Sequence, residues 1–164
     1  MQLILNSQEI HQKLVRIAHQ ILESTYDLKK IYLGGIVGNG ILMAKELAEL
    51  IQSNGKQEVI VFEIKVNKAT PWEDKIELSI DEKELKDGYI LLCDDVLNSG
   101  KTMQYALVKI LEQPTMAIAT VAIVDRKHRR YPIKADFVGL SLSTTLKERV
   151  EIKAKNGEYE AYLV

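Results

Sequence analysis

The chain has 164 residues, 46% hydrophobic and 27% charged, with 22 basic and 23 acidic residues and a formal net charge of -1. That balance excludes a disordered or fibrous chain and leaves no global attraction to nucleic acid or membrane, so any polyanion site has to be local. The size is that of a single domain spanning 1 to 164, and the lone Cys93 excludes an intrachain disulfide framework and fits a reducing, cytoplasmic setting.

The opening run MQLIL is too short for a secretion signal, and no stretch reaches the roughly 20 apolar residues of a membrane span. Ile10, Leu14, Ile17, Ala18, Ile21 and Leu22 then share one face at helical spacing, preceded by Asn6 and Glu9 in capping-box register. An amphipathic helix over 10–22 is predicted, with His11 and His19 on or near its surface. IYLGGIV (31–37) reads as a buried strand, GNG as a tight turn, and ILMAKELAELIQSNG (41–55) as a helix closed by Asn54-Gly55. EVIVFEIKV (58–66) is a further strand. The polar arm 67–88, with Pro71 and Trp72, has little sustained period and reads as a long arm, lid or hairpin covering something.

YILLC (89–93) is predicted as a short strand and TMQYALVKILE (102–112) as a helix. MAIATVAIV (116–124) is apolar throughout, as a strand covered on both faces would be. A basic loop (125–134), a short strand near Phe137 to Leu140 and a terminal hairpin turning at Asn156-Gly157 complete the chain. Strands alternating with helices predict an α/β domain built on a parallel sheet.

The chemistry concentrates in ILLCDDVLNSGKT, residues 90–102. A nucleoside triphosphate P-loop is excluded because Asp95 stands where the first glycine of that motif belongs, and a carboxylate inside a triphosphate cradle repels its ligand. One phosphate suits the backbone N–H groups of Asn98, Ser99, Gly100, Lys101 and Thr102 at the positive end of the following helix. Ionised Asp94 and Asp95 suit the vicinal hydroxyls of a ribose, directly or through magnesium. A ribose 5-phosphate therefore fits the motif end to end; the bland alternative is a solvated turn after a strand.

ILLCDDVLNSGKT resembles the phosphoribosyl pyrophosphate signature of the type I phosphoribosyltransferases. LVRIAHQILE, GNGILMAKELAELI, VAIVDRKHRRYPIKADFVGL and Ser143-Thr144-Thr145 are similar, in order, to the subgroup of bifunctional pyrimidine operon attenuation regulators and uracil phosphoribosyltransferases. The resemblance implies a parallel-sheet core flanked by helices, with a small hood from the termini and the 67–88 arm. It implies transfer of ribose 5-phosphate from phosphoribosyl pyrophosphate to a nucleobase, uracil first, giving a nucleoside monophosphate and pyrophosphate. Asp94 and Asp95 would act catalytically, holding the ribose hydroxyls and, through the substrate, Mg2+. A homodimer or larger assembly is implied as well.

Two features depart from that pattern. The family's pyrophosphate loop resembles G-I-(K/R)-T-R-G, whereas this chain has Val37, Gly38, Asn39 and Gly40 after Gly35-Ile36, with neither cation. Asn98 stands where purine enzymes carry an acid and the uracil subgroup a tyrosine; an amide can face a donor or an acceptor, so the base stays open. The resemblance puts base reading at the backbone of Val124 and Asp125. Arg126, His128, Arg129 and Arg130, with Arg16 on the first helix, are candidate RNA contacts by the same analogy, or else a solvated loop beside an anion site. Lys127 falls where the family has glycine. Three readings result: an enzyme, a nucleotide-sensing RNA-binding regulator with weak or lost catalysis, and a vestigial partner-binding protein.

Overall fold

The computed structural model describes residues 1–164. Its strands are β1 (Gln2–Leu5), β2 (Lys30–Ile36), β3 (Glu58–Lys65), β4 (Glu77–Leu78), β5 (Tyr89–Leu97), β6 (Ala117–Asp125), β7 (Phe137–Ser141), β8 (Val150–Lys155) and β9 (Glu158–Leu163). The helices are α1 (Ser7–Ser24), α2 (Asn39–Asn54) and α3 (Lys101–Ile110). No helix is long and apolar enough to cross a membrane.

Helix α1 starts where its capping box places it. Asn6 Oδ1 accepts the Glu9 N–H at 2.9 Å and Glu9 Oε2 accepts the Asn6 N–H at 2.8 Å, satisfying two donors that the first turn leaves free. Its apolar face, Ile10, Leu14, Ile17, Ala18 and Ile21, is buried as its spacing predicts. Helix α2 begins two residues earlier than expected, at Asn39. It also ends differently: Gly55 has φ −141°, an extended residue rather than a left-handed cap, and a Cβ there would strike Leu22.

The main sheet has the order β4-β3-β2-β5-β6-β7, parallel from β3 to β7 with β4 antiparallel at the edge. Alternation along each strand divides the core in two. Ile31, Leu33, Leu91, Cys93, Val121 and Ile123 pack toward α1 and α2, while Ile90, Leu92, Phe62, Ile64 and Ala122 pack toward α3 and the arm. Strand β5 runs four residues past its predicted end, so the acid pair belongs to the strand and not to the loop beyond it.

The hood is a second, antiparallel sheet, β1-β9-β8. Its strand β1 was not expected, because four residues at a terminus carry too little pattern to register as a strand. The β8–β9 hairpin turns at Asn156 and Gly157, both with positive φ as a two-residue turn requires. The arm 67–88 was expected to share in the hood. Instead β4 pairs with β3, and Ile76 and Leu85 join the α3 side of the core, because those are apolar positions the arm has to bury.

Candidate functional site

Strands β5 and β6 end side by side, with Leu97 paired to Asp125, so their carboxyl ends bring Asp94, Asp95, Asn98, Val124 and Asp125 to one edge of the sheet. That is the edge where open α/β sheets take ligands. A cleft of about 260 Å³ there is lined by Lys68, Asp94, Asp95 and residues 96–103. Gly100 is left-handed, φ +86°, and a Cβ on it would lie 2.5 Å from Ile133 Cγ2. Its lack of a side chain lets the 98–100 turn tuck under the 130–133 segment, while Ser99 O accepts the N–H groups of Arg130 and Tyr131.

Asp94 is buried and Asp95 half-buried. Asp94 Oδ1 accepts the Asp95 N–H at 2.9 Å and lies 3.3 Å from Lys68 Nζ. Burial, then the Asp95 charge, push the Asp94 carboxyl up to about 7, with Lys68 pulling the other way. Asp95 Oδ1 accepts the Val96 N–H at 2.8 Å. Its Oδ2 takes an N–H from Asn39 at 2.9 Å, and the same amide nitrogen donates to Ile152 O on β8 at 2.9 Å. Two carboxylates are hard oxygen donors suited to magnesium, but no group of three or more His, Cys, Asp or Glu side chains surrounds them. They suit an ion that draws most of its ligands from a bound diphosphate and water.

The turn 37–40 packs against this edge. The Asn39 amide, donating to Asp95 Oδ2 and Ile152 O, braces the acid pair against the hood. Gly40 lies so close to β5 that a Cβ on it would be 2.8 Å from Cys93 O and 3.2 Å from Asp94 Oδ1.

The arm supplies a residue that sequence reasoning missed, Lys68, whose ammonium faces Asp94 from outside. No periodicity marks it; only the fold brings position 68 to position 94. Lys101 bends back to the arm, donating to Ala69 O at 3.1 Å with its Nζ 5.5 Å from the centre of the Trp72 ring. Trp72, Tyr105 and Tyr131 follow one another at ring separations of 6.2 and 6.4 Å.

The basic loop is tied inward at several points. Arg126 is only 8% exposed; its Nη1 donates to Asn98 Oδ1 at 2.8 Å, its Nε to Thr144 Oγ1 at 3.1 Å, and its Nη2 to Glu148 O. That burial takes Arg126 out of the set of side chains able to reach an RNA backbone. His128 donates to Thr144 O, and Arg129 pairs with Asp125 Oδ2 at 2.9 Å. Asp125 Oδ1 accepts the Lys127 N–H at 2.8 Å, so the Asp125 side chain closes its own loop. Arg16 reaches across to the carbonyls of Val138 and Gly139 and pins α1 to β7. Arg130 stands exposed. Lys127 adopts φ +59°, the backbone form for which glycine is the natural residue.

Comparison with known proteins agrees with this architecture. The bifunctional protein PyrR of Pediococcus pentosaceus is 32% identical over 158 residues, 91% of this chain and 89% of its own length. That of Chloroflexus aurantiacus is 34% identical over 162 residues, 93% of this chain and 87% of its own. Among solved structures, the hypoxanthine phosphoribosyltransferase of Trypanosoma cruzi superposes with a TM-score of 0.79, covering 98% of this chain and 95% of that one at 14% identity, a likeness of fold alone. The phosphoribosyl transferase domain model matches residues 2–153, and with the alignment to the PyrR proteins this shows that the chain belongs to the phosphoribosyltransferase family.

Proposed function

We propose that the protein transfers ribose 5-phosphate from phosphoribosyl pyrophosphate to a nucleobase, uracil being the first to test, and releases pyrophosphate. The observation that carries this reading is the continuity of one cleft from Asp94 and Asp95 to the 98–102 turn at the start of α3. The carboxylates accept from the ribose 2- and 3-hydroxyls, and the turn's N–H groups hold the 5-phosphate where the helix dipole favours negative charge. Held at both ends, the sugar presents C1 to the base, and orientation contributes much of the rate in such a displacement. The bond from C1 to the pyrophosphate oxygen breaks as the bond to the ring nitrogen forms, and the base's proton leaves to solvent. Magnesium, when bound with the substrate, neutralises charge on the departing pyrophosphate.

Purified protein incubated with magnesium, phosphoribosyl pyrophosphate and each common base in turn tests the proposal. Formation of a nucleoside monophosphate with one equivalent of pyrophosphate supports it; absence of product with every base overturns it.

A second reading, a nucleotide-sensing regulator that binds RNA and has little catalysis, is favoured by one observation. Val37, Gly38 and Asn39 bring no cation to the pyrophosphate end, and Asn39 is committed to Asp95 and Ile152. Under this reading a nucleoside monophosphate raises the melting temperature without turnover, and RNA is retained at low salt and released as salt rises.

A further inference from the structure

Asn98 sits where β5 gives way to the phosphate turn, one residue beyond the Leu97–Asp125 pair, so it lies between the ribose cleft and the end of β6. By itself an asparagine amide is ambiguous: one edge accepts and the other donates. Arg126 removes the ambiguity. A guanidinium has only donors, so the 2.8 Å contact from Arg126 Nη1 requires the Asn98 oxygen to face it.

Arg126 cannot turn away to release that oxygen. Its Nε is held by Thr144 Oγ1, its Nη2 by Glu148 O and by His128 Nδ1 at 3.3 Å, and its own N–H donates to Leu97 O at 3.1 Å. The same logic sets His128. Facing a donor, Nδ1 has to accept, so the proton sits on Nε2 and goes to Thr144 O. What Asn98 then offers the cleft is its pair of N–H groups.

Resting on the phosphoribosyltransferase reading above, we propose that Asn98, fixed by Arg126, is a specificity-determining residue that selects a base carrying an oxo group, not an amino group, on the edge facing it. Asn98 is exposed in the free protein; once a base covers it, an amino group there would set donor against donor and leave both unpaired, which costs more than a hydrogen bond contributes. Asn98 also has no basic atom free to take a proton from the base.

The test is isothermal titration of the full chain with UMP, CMP, IMP and AMP, for wild type, Asn98→Asp and Asn98→Leu. In Asn98→Asp the new carboxylate can still receive Arg126 on one oxygen while turning the other, an acceptor, to the cleft, and melting curves establish that each variant folds. The expected result is that wild type binds UMP and IMP at least about tenfold more tightly than CMP and AMP. Asn98→Asp should reverse the order and Asn98→Leu abolish it. Equal affinities in wild type, an amino preference in wild type, or an oxo preference that survives in Asn98→Asp would overturn the proposal while leaving the phosphoribosyltransferase reading intact. If none of the four nucleotides binds wild type, both fall together.

Discussion

Asn39 and Asp95, 56 positions apart in the chain, meet through a 2.9 Å hydrogen bond, and the same Asn39 nitrogen continues to the backbone of the hood at Ile152. A residue that stands where the family carries an arginine for phosphate oxygens is here a brace between an acidic side chain and a second sheet. Replacing it with alanine should therefore lower folding stability by about 1–2 kcal/mol, since a partly buried carboxylate oxygen and a carbonyl each lose a donor. Urea unfolding measures that loss. Asn39→Arg should bring the opposite balance: weaker bracing, but roughly tenfold or better affinity for pyrophosphate from a charge-assisted contact. Titration with pyrophosphate checks it, and unchanged affinity would show that the turn 37–40 does not face the anion.

Asp94 makes stability depend on pH in a definite direction. Its folded-state carboxyl holds a proton up to about 7, whereas its ordinary value is 3.8. Between those limits the folded chain binds the extra proton, so this group's contribution to stability falls as pH rises from about 4 to 7 and is level above. Asp94→Asn should remove that decline and raise stability at pH 8 by an amount on the order of a few kcal/mol. Chemical denaturation at pH 5 and pH 8 reads the difference. A ligand that brings magnesium favours the ionised form, so the affinity of the wild type for magnesium phosphoribosyl pyrophosphate should rise as pH passes through 7, with proton release visible in buffers of different ionisation enthalpy.

Lys127 offers a gain in stability. At φ +59° its Cβ crowds the following carbonyl, and the side chain is exposed, so nothing is lost with it. Lys127→Gly should stabilise the protein by roughly 1 kcal/mol after the greater chain entropy of glycine is counted, seen as a rise in melting temperature of a few degrees. A fall in melting temperature would show that Lys127 has a contact worth more than its backbone strain.

Gly35 is the reverse case. A Cβ there would lie 2.4 Å from Ile41 Cα, backbone against backbone, so α2 would have to move off β2. Gly35→Ala should cost about 2 kcal/mol or more and disturb the acid pair through Gly40 and Asn39. Unfolding curves and nucleotide titration of the same variant measure the two effects, and stability near that of wild type would contradict the close approach.

Trp72 is the single tryptophan and lies on the arm, 58% exposed, with the Lys101 ammonium near its ring. If Lys101 turns to a phosphate bound at the 98–102 turn, that contact is lost and the emission of Trp72 should change on adding UMP or phosphoribosyl pyrophosphate. Lys101→Ala should largely abolish the response. A constant spectrum at saturating ligand would argue that the arm and the phosphate turn do not communicate.

Short-range signals were legible in the sequence: the capping box at Asn6 and Glu9, the apolar faces of the helices, the apolar strands, and the acid pair followed by Gly-Lys-Thr. Each is carried by residues within a turn or two of one another, where spacing and local hydrogen bonding suffice. Strand β1 and the true end of β5 escaped because four terminal residues have too little pattern, and because a pair of carboxylates inside a strand looks like the start of a loop.

The pairings that give the site its character belong to the tertiary structure alone. Lys68 meets Asp94 across 26 positions, Asn98 meets Arg126 across 28, and Asn39 meets Ile152 across 113. Sequence alone placed the acid pair and the Gly-Lys-Thr turn on one continuous strand and turn, the arrangement from which a sugar phosphate is proposed for residues 94–102. Which way Asn98 points, and whether Asn39 faces an anion or a carboxylate, depends on which distant side chains the parallel sheet lays beside them. No local pattern encodes that choice, since an amide has a donor edge and an acceptor edge and only its neighbours decide which is spent.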